Sequence, residues 1–167
     1  MTLLPVFQSP DPNLLVRPVR LTDAEPLHAR CWPQRSFMTV YNMLTRALQY
    51  AKDERGLGVV VVDAAGAVQG YGQMAVWPSC AEVSDLVVAE AYRSQGCGTA
   101  MIQHLVRAAY RLGTPAVEIG AAVSNTRAIR LYQRLGFEDS HTLTLNLGSG
   151  QEPVLFLRLE LQNVKFG

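Results

Sequence analysis

The sequence predicts one domain of mixed α/β (α+β) class, a mixed, mostly antiparallel central sheet of six to seven strands flanked by four helices. Three observations predict it. The chain has 167 residues, enough for about one domain. Short β-branched runs bounded by glycine, proline and aspartate alternate with long segments of 3.6-residue apolar period. Hairpin signals stand at both ends of a β-α-β centre, so antiparallel pairs must share a sheet with a parallel one.

Each element follows in order. Residues 1–13 hold Pro5, Pro10 and Pro12 without a period and read as an irregular arm. Residues 14–19 form a short first strand, which Pro18 confines to an edge or to its own end. Thr22 or Asp23 caps a helix that Pro33 interrupts, and Ser36 caps a second, reaching about Arg55, with Val40, Met43, Leu44, Ala47, Leu48 and Ala51 on one face. Residues 57–62 are a buried-strand run, and Asp63-Ala-Ala-Gly66 turns into a partner strand at 68–76. After Trp77-Pro78 comes a strand at 81–88, then a helix from Gly96 to Leu112 stopped by Gly113-Thr-Pro115. A strand at 116–121, a helix from Ser124 to Leu135, and strands at 137–147 and 153–161 about Gly148-Ser-Gly150 complete the order β-α-α-β-β-β-α-β-α-β-β.

Composition removes several function classes. Hydrophobic residues make up 49% and charged residues 17%, a globular balance. Fifteen Lys+Arg against fourteen Asp+Glu leave a net charge of +1, which gives no general field for a polyanion and argues against nucleic acid as partner. Cys31, Cys80 and Cys97 are odd in number and lack a CxxC pattern, so reduced thiols in a cytoplasmic protein are expected, and no metal site. The N-terminus lacks a basic lead, and the aliphatic run at 57–62 is far short of a bilayer span, so no membrane partner is expected.

The sharpest local feature is Arg93-Ser-Gln-Gly96-Cys-Gly98-Thr99, set between a strand and an amphipathic helix. Glycines there let successive N–H groups point out of a helix N-terminus, where the dipole adds to them and a phosphate fits. Arg93 adds a phosphate-matching donor fork. An ordinary glycine-rich turn is the plain alternative. A dinucleotide fingerprint is another, with Glu118 twenty residues beyond Gly98, but Met101 occupies the third glycine's place and seven residues precede the first glycine. A Walker loop is excluded because no Gly-Lys-Ser/Thr occurs. The R/Q-x-x-G-x-G/A type of pyrophosphate loop matches at each defined position.

The segment from Leu86 to Thr99 resembles the central motif of the GCN5-related N-acetyltransferase (GNAT) superfamily. Asn125-Thr-Arg-Ala128-Ile-Arg-Leu131-Tyr132-Gln-Arg-Leu135-Gly136-Phe137 resembles its second motif, N-x-x-A-x-x-L-Y-x-x-x-G-F, and begins 26 residues after Thr99. The resemblance covers 81–137 and implies a GNAT-like fold with an acyl-CoA site. It implies that the main chain of Leu86, Val87 and Val88 pairs with the pantetheine arm as an added strand would. It further implies that the loop of Arg93, Ser94, Gln95, Gly96, Cys97, Gly98 and Thr99 holds the pyrophosphate, that Asn125 contacts the pantetheine, and that Tyr132 faces the thioester sulfur. Glu90 departs from the proline common after this strand.

The implied reaction moves acetyl from acetyl-CoA to a primary amine of a small molecule or peptide by direct attack in a ternary complex. Such an amine has a parent pKa near ~10.4, so something must accept its proton, and the leaving thiolate needs a donor. Tyr132 is the expected general acid. Glu82, where the histone-acetylating branch carries its base, is the candidate base, with Asp85 a substitute only if a bulge turns it. Glu118 does not match the glutamate of enzymes that acetylate protein N-termini, because that position is Gly120. Trp32, Phe37, Tyr41 and Trp77 are candidates for an acceptor pocket. The rival from another class is a non-catalytic acyl-CoA sensor of the same fold, and a homodimer through the terminal hairpin is a possible assembly.

Overall fold

The computed structural model describes residues 12–166. The arm expected over 1–13 lies outside the described residues except for Pro12 and Asn13, which form a turn. The elements are β1 (Leu15–Pro18), α1 (Ala24–Arg30), α2 (Phe37–Lys52), β2 (Gly56–Val62), β3 (Val68–Val76), β4 (Ala81–Val88), α3 (Cys97–Arg111), β5 (Ala116–Ala122), α4 (Thr126–Arg134), β6 (Glu138–Asn146) and β7 (Gln151–Glu160). They build one sheet in the order β1-β2-β3-β4-β5-β7-β6. The β4–β5 pair is parallel and the other five are antiparallel. This is the predicted mixed sheet.

Helices cover both faces, and β2 shows why its sequence is an unbroken aliphatic run. Val59 and Val61 pack under α3 with Met101, Leu105 and Val106, while Val60 and Val62 pack under α1 and α2 with Leu27, Val40 and Leu44. A strand buried on both faces has no polar side to alternate. Trp32, read as a candidate pocket residue, belongs to this second core, 4% exposed and edge-on to Tyr71 at 5.6 Å. Phe37 and Trp77 stay at the surface.

Local chemistry sets the helix ends. Ser36 caps α2 by accepting the Thr39 N–H at 3.1 Å, as expected. Asp23 does not cap α1 with its side chain. Its carboxylate reaches back to Arg17 in a fork at 2.8 and 2.9 Å and accepts the Arg20 N–H at 2.8 Å, tying β1 to the helical layer. β7 begins at Gln151, ahead of the expected Pro153. Pro153 turns its main-chain edge toward β5 just past that strand's end, where its missing N–H breaks no ladder bond. β6 forms the far sheet edge, exposed along its length. No helix among the described residues is long and apolar enough to cross a membrane.

Candidate active site

β4 and β5 share only a short ladder. Ala81, Glu82 and Val83 pair with Val117, Glu118 and Ile119, and pairing then stops although β4 runs to Val88 and β5 to Ala122. The cause lies on the other side of β4. Tyr71 pairs with Val87 and Gln73 with Ser84, so β4 advances three residues where β3 advances two. The extra residue is a bulge, and Asp85 sits in it at φ 53°. A bulge bends and twists its strand, which carries the end of β4 away from β5. Leu86 fills the space left by Gly72, where an added Cβ would lie 2.7 Å from Leu86 Cδ2.

The splayed end of β4 forms one wall of a groove of about 760 Å³. Leu86 and Val88 line it from the strand, Arg93, Ser94 and the residues from Gly96 to Thr99 supply its floor at the start of α3, and one face of α4 with its cap Asn125 closes it. The loop turns by two left-handed residues, Ser94 at φ 64° and Gly96 at φ 85°. The first ladder bond of α3 runs from Ala100 N to Gly96 O at 2.9 Å. The amides of Gly98 and Thr99 precede it and have no acceptor within the helix, and both residues line the groove. Among the described residues a Cβ at Gly98 would meet nothing nearer than Leu131 Cδ2 at 3.8 Å, so their packing does not demand glycine there. What the glycine preserves is room in the groove.

The loop is braced from outside. The Tyr92 hydroxyl donates to Asp63 Oδ2 at 2.9 Å, joining the β2–β3 turn to the residue before Arg93. Asp63 also accepts from Gln69 Nε2 at 3.0 Å and from the amides of Ala65 and Ala67. The Ala67 amide, the Tyr92 hydroxyl and the Gln69 amide together hold its carboxyl below the ordinary range. Gln95 spends its side chain on Ala91 O at 2.8 Å, and Arg93 Nε donates to Val88 O at 3.4 Å.

α4 presents the chemistry. Asn125 is its N-cap, accepting the Ala128 N–H at 3.2 Å through Oδ1, which leaves its amide NH₂ for the groove. Tyr132 is 7% exposed and lines the groove, with its ring 6.4 Å from that of Phe137. Its hydroxyl has no hydrogen-bond partner among the described residues, and burial pushes its pKa up to about 12.

Glu82 stands on the opposite sheet face. Its neighbours Ala81 and Val83 are buried under α3, so alternation directs Glu82 away from them. Burial raises its pKa, the adjacent Glu118 carboxylate adds to the shift, Asp85 adds further, and a hydrogen bond from Trp77 opposes it. Glu118 is itself held by Arg158 Nη1 at 3.3 Å. On this face Asp85, Gln73, Asn42 and Arg46 line a second cavity of about 370 Å³. The bulge therefore gives Asp85 to one cavity and Leu86 to the other.

Residues 21–137 match the model of the acetyltransferase (GNAT) family. The chain belongs to that family. An uncharacterized N-acetyltransferase of Methanocaldococcus jannaschii is 36% identical over 63 residues, 38% of this chain and 28% of that relative's length. A mutant of spermidine N-acetyltransferase from Vibrio cholerae superposes with TM-score 0.75 at 18% identity, covering 92% of this chain and 97% of that one. The yncA protein of Salmonella typhimurium, solved with its cofactor acetyl-CoA, superposes with TM-score 0.70 at 22% identity over 89% and 94% of the two chains. At these identities the likeness is one of fold.

Within the GNAT domain the residues singled out from sequence divide by face. Leu86, Val88, Arg93, Ser94, Gly96, Cys97, Gly98, Thr99, Asn125 and Tyr132 all meet at the groove. The Val87 side chain packs with the α1–α2 core, so only its main chain is offered to the β4 edge. Gln95 acts as a brace, and Cys97 is 1% exposed in the main core. Sequence reading missed the braces from Asp63 and the pairing of Glu82 with Glu118. No signal in the sequence gives the latter, which follows from the register of β4 against β5.

Proposed function

We propose that this GNAT domain transfers an acetyl group from acetyl-CoA to an amine of a small molecule or peptide, by direct attack in a ternary complex. One observation carries the reading: the splayed end of β4, the first residues of α3 and the buried Tyr132 of α4 line a single groove. The residues fit acetyl-CoA, because a Cβ at Gly98 would take up room beside the groove without serving any protein packing closer than Leu131 Cδ2 at 3.8 Å, and among the described residues no acidic side chain lines the groove. When bound, acetyl-CoA supplies an activated acyl group as its thioester.

The chain's own residues do the rest. The unpaired main chain from Leu86 to Val88 aligns an amide-bearing arm as a neighbouring strand would. The amides of Gly98 and Thr99, with the α3 dipole and Arg93, hold a diphosphate. A main-chain N–H near Val88 stabilises negative charge on the acyl oxygen. Tyr132, protonated throughout the physiological range, hands its proton to the leaving sulfur. Glu82, raised toward neutrality, takes the amine's proton on the other side of the splay. Glu82, Glu118 and Asp85 together favour a cationic acceptor there, and the fold neighbours named for spermidine N-acetylation agree with a small amine.

The test is free-thiol release from acetyl-CoA across polyamines, amino acids, aminoglycosides and peptides. Amine-dependent release at a saturable rate is expected. Coenzyme binding with no release on any amine would replace the enzyme by a sensor of the same fold.

A further inference from the structure

The groove contains more positive charge than a diphosphate needs. Arg93, Arg127, Arg130 and Arg134 line it, and among the described residues no Asp or Glu does, in a chain whose net charge is +1. Arg127, Arg130 and Arg134 stand three and four residues apart on α4, so they share one face. All three are exposed, and among the described residues none of them has an ion-pair partner to offset its neighbours' charge. Like charges at this spacing destabilise a helix. Arg127 is worse placed still, in the first turn, where the helix dipole disfavours a cation. Folding alone gives no reason for this row.

Its position suggests one. Leu131 lies on the same face and is the nearest neighbour of the Gly98 site, at 3.8 Å, which sets the row over the start of α3. Tyr132 is about 140° around the helix from Arg127, toward the sheet. The row therefore belongs to the phosphate end of the groove, away from the acyl end. The α3 amides already serve a diphosphate, and the unused guanidinium forks match a phosphate monoester dianion.

We infer that Arg127 and Arg130 form a separate anion site that holds the 3′-phosphate of CoA, so that this chain discriminates 3′-phosphorylated coenzyme from its dephosphorylated form. The inference rests on the acetyl-CoA reading of the groove. Titration calorimetry of the full chain at low ionic strength with CoA and with 3′-dephospho-CoA tests it, since the two ligands differ by that one group.

CoA should bind about tenfold or more tightly than dephospho-CoA, with the ratio shrinking as salt is raised. In the R127Q/R130Q double variant, shown folded by its circular dichroism and melting curve, the ratio should fall toward one chiefly through loss of CoA affinity. Equal binding of the two ligands by the unmodified protein would overturn the inference and leave the acetyl-CoA reading intact. So would a double variant that loses affinity for both ligands equally, because the row would then serve the diphosphate. Binding of neither ligand would overturn the acetyl-CoA reading and this inference with it.

Discussion

Tyr132 and Glu82 are both acids whose pKa burial raises, with opposite chemical results. For a phenol already near 10, a further rise keeps the proton in place, which suits a donor. For a carboxyl near ~4.3, a rise moves it toward the pH at which an acceptor works best. Tyr132→Phe should therefore lower kcat by about 10²-fold or more while CoA affinity, read by calorimetry, stays within about twofold. An unchanged kcat would reduce Tyr132 to packing. Glu82 must be ionised to act, so the rate should rise with pH through an apparent pKa above the usual carboxylate range, and Glu82→Gln should remove that limb. Glu118→Gln deletes the like charge that helps raise Glu82, so the limb should move to lower pH in the pH–rate profile. Tyr132 was legible because its helix carries the flanking Asn125 and Gly136-Phe137. The influence of Glu118 was not, because it comes from the register of β4 against β5 and the two residues are 36 apart in sequence.

The loop between β4 and α3 is where local backbone demands and distant support meet. Gly96 occupies φ 85°, which costs an L-residue roughly 1–2 kcal/mol and a β-branched one more. Gly96→Val should weaken CoA binding by about tenfold or more in calorimetry and lower the melting temperature as well. Tyr92→Phe probes the brace alone. Losing one hydrogen bond of net ~0.5–1.5 kcal/mol should raise the KM for acetyl-CoA about two- to tenfold, with kcat unchanged at saturation. A fall in kcat instead would mean that the brace also positions the reacting groups. The glycines were readable because a left-handed turn and an open cradle are properties of the residues themselves. Asp63 was readable only as a turn former. Its bond to Tyr92 spans 29 residues and exists because β2–β3 and the end of β4 are neighbours in the sheet. Asn125 was expected at the coenzyme, and its capping of α4 follows from where that helix actually starts.

At the scale of the molecule, the groove joins β4, α3 and α4, so a ligand filling it holds together elements from separate stretches of chain. CoA at a hundred times its Kd should stabilise the fold by about 2.7 kcal/mol. For a domain of this size that is a melting shift of roughly 5–10 °C, and no shift in a thermal scan would count against the groove as the coenzyme site. The order of elements, the mixed sheet, the glycine loop and the Asn125–Tyr132 helix were determined by sequence alone, because periodicity, capping and special backbone angles act over a few residues. Tertiary structure alone decided that β4 parts from β5 after Val83, that Glu82 lies beside Glu118, and that the α4 arginines line the same groove as the start of α3. Those relations depend on strand register and helix placement, which a bulge of one residue at Asp85 can reset, and nothing in the neighbouring sequence records the outcome.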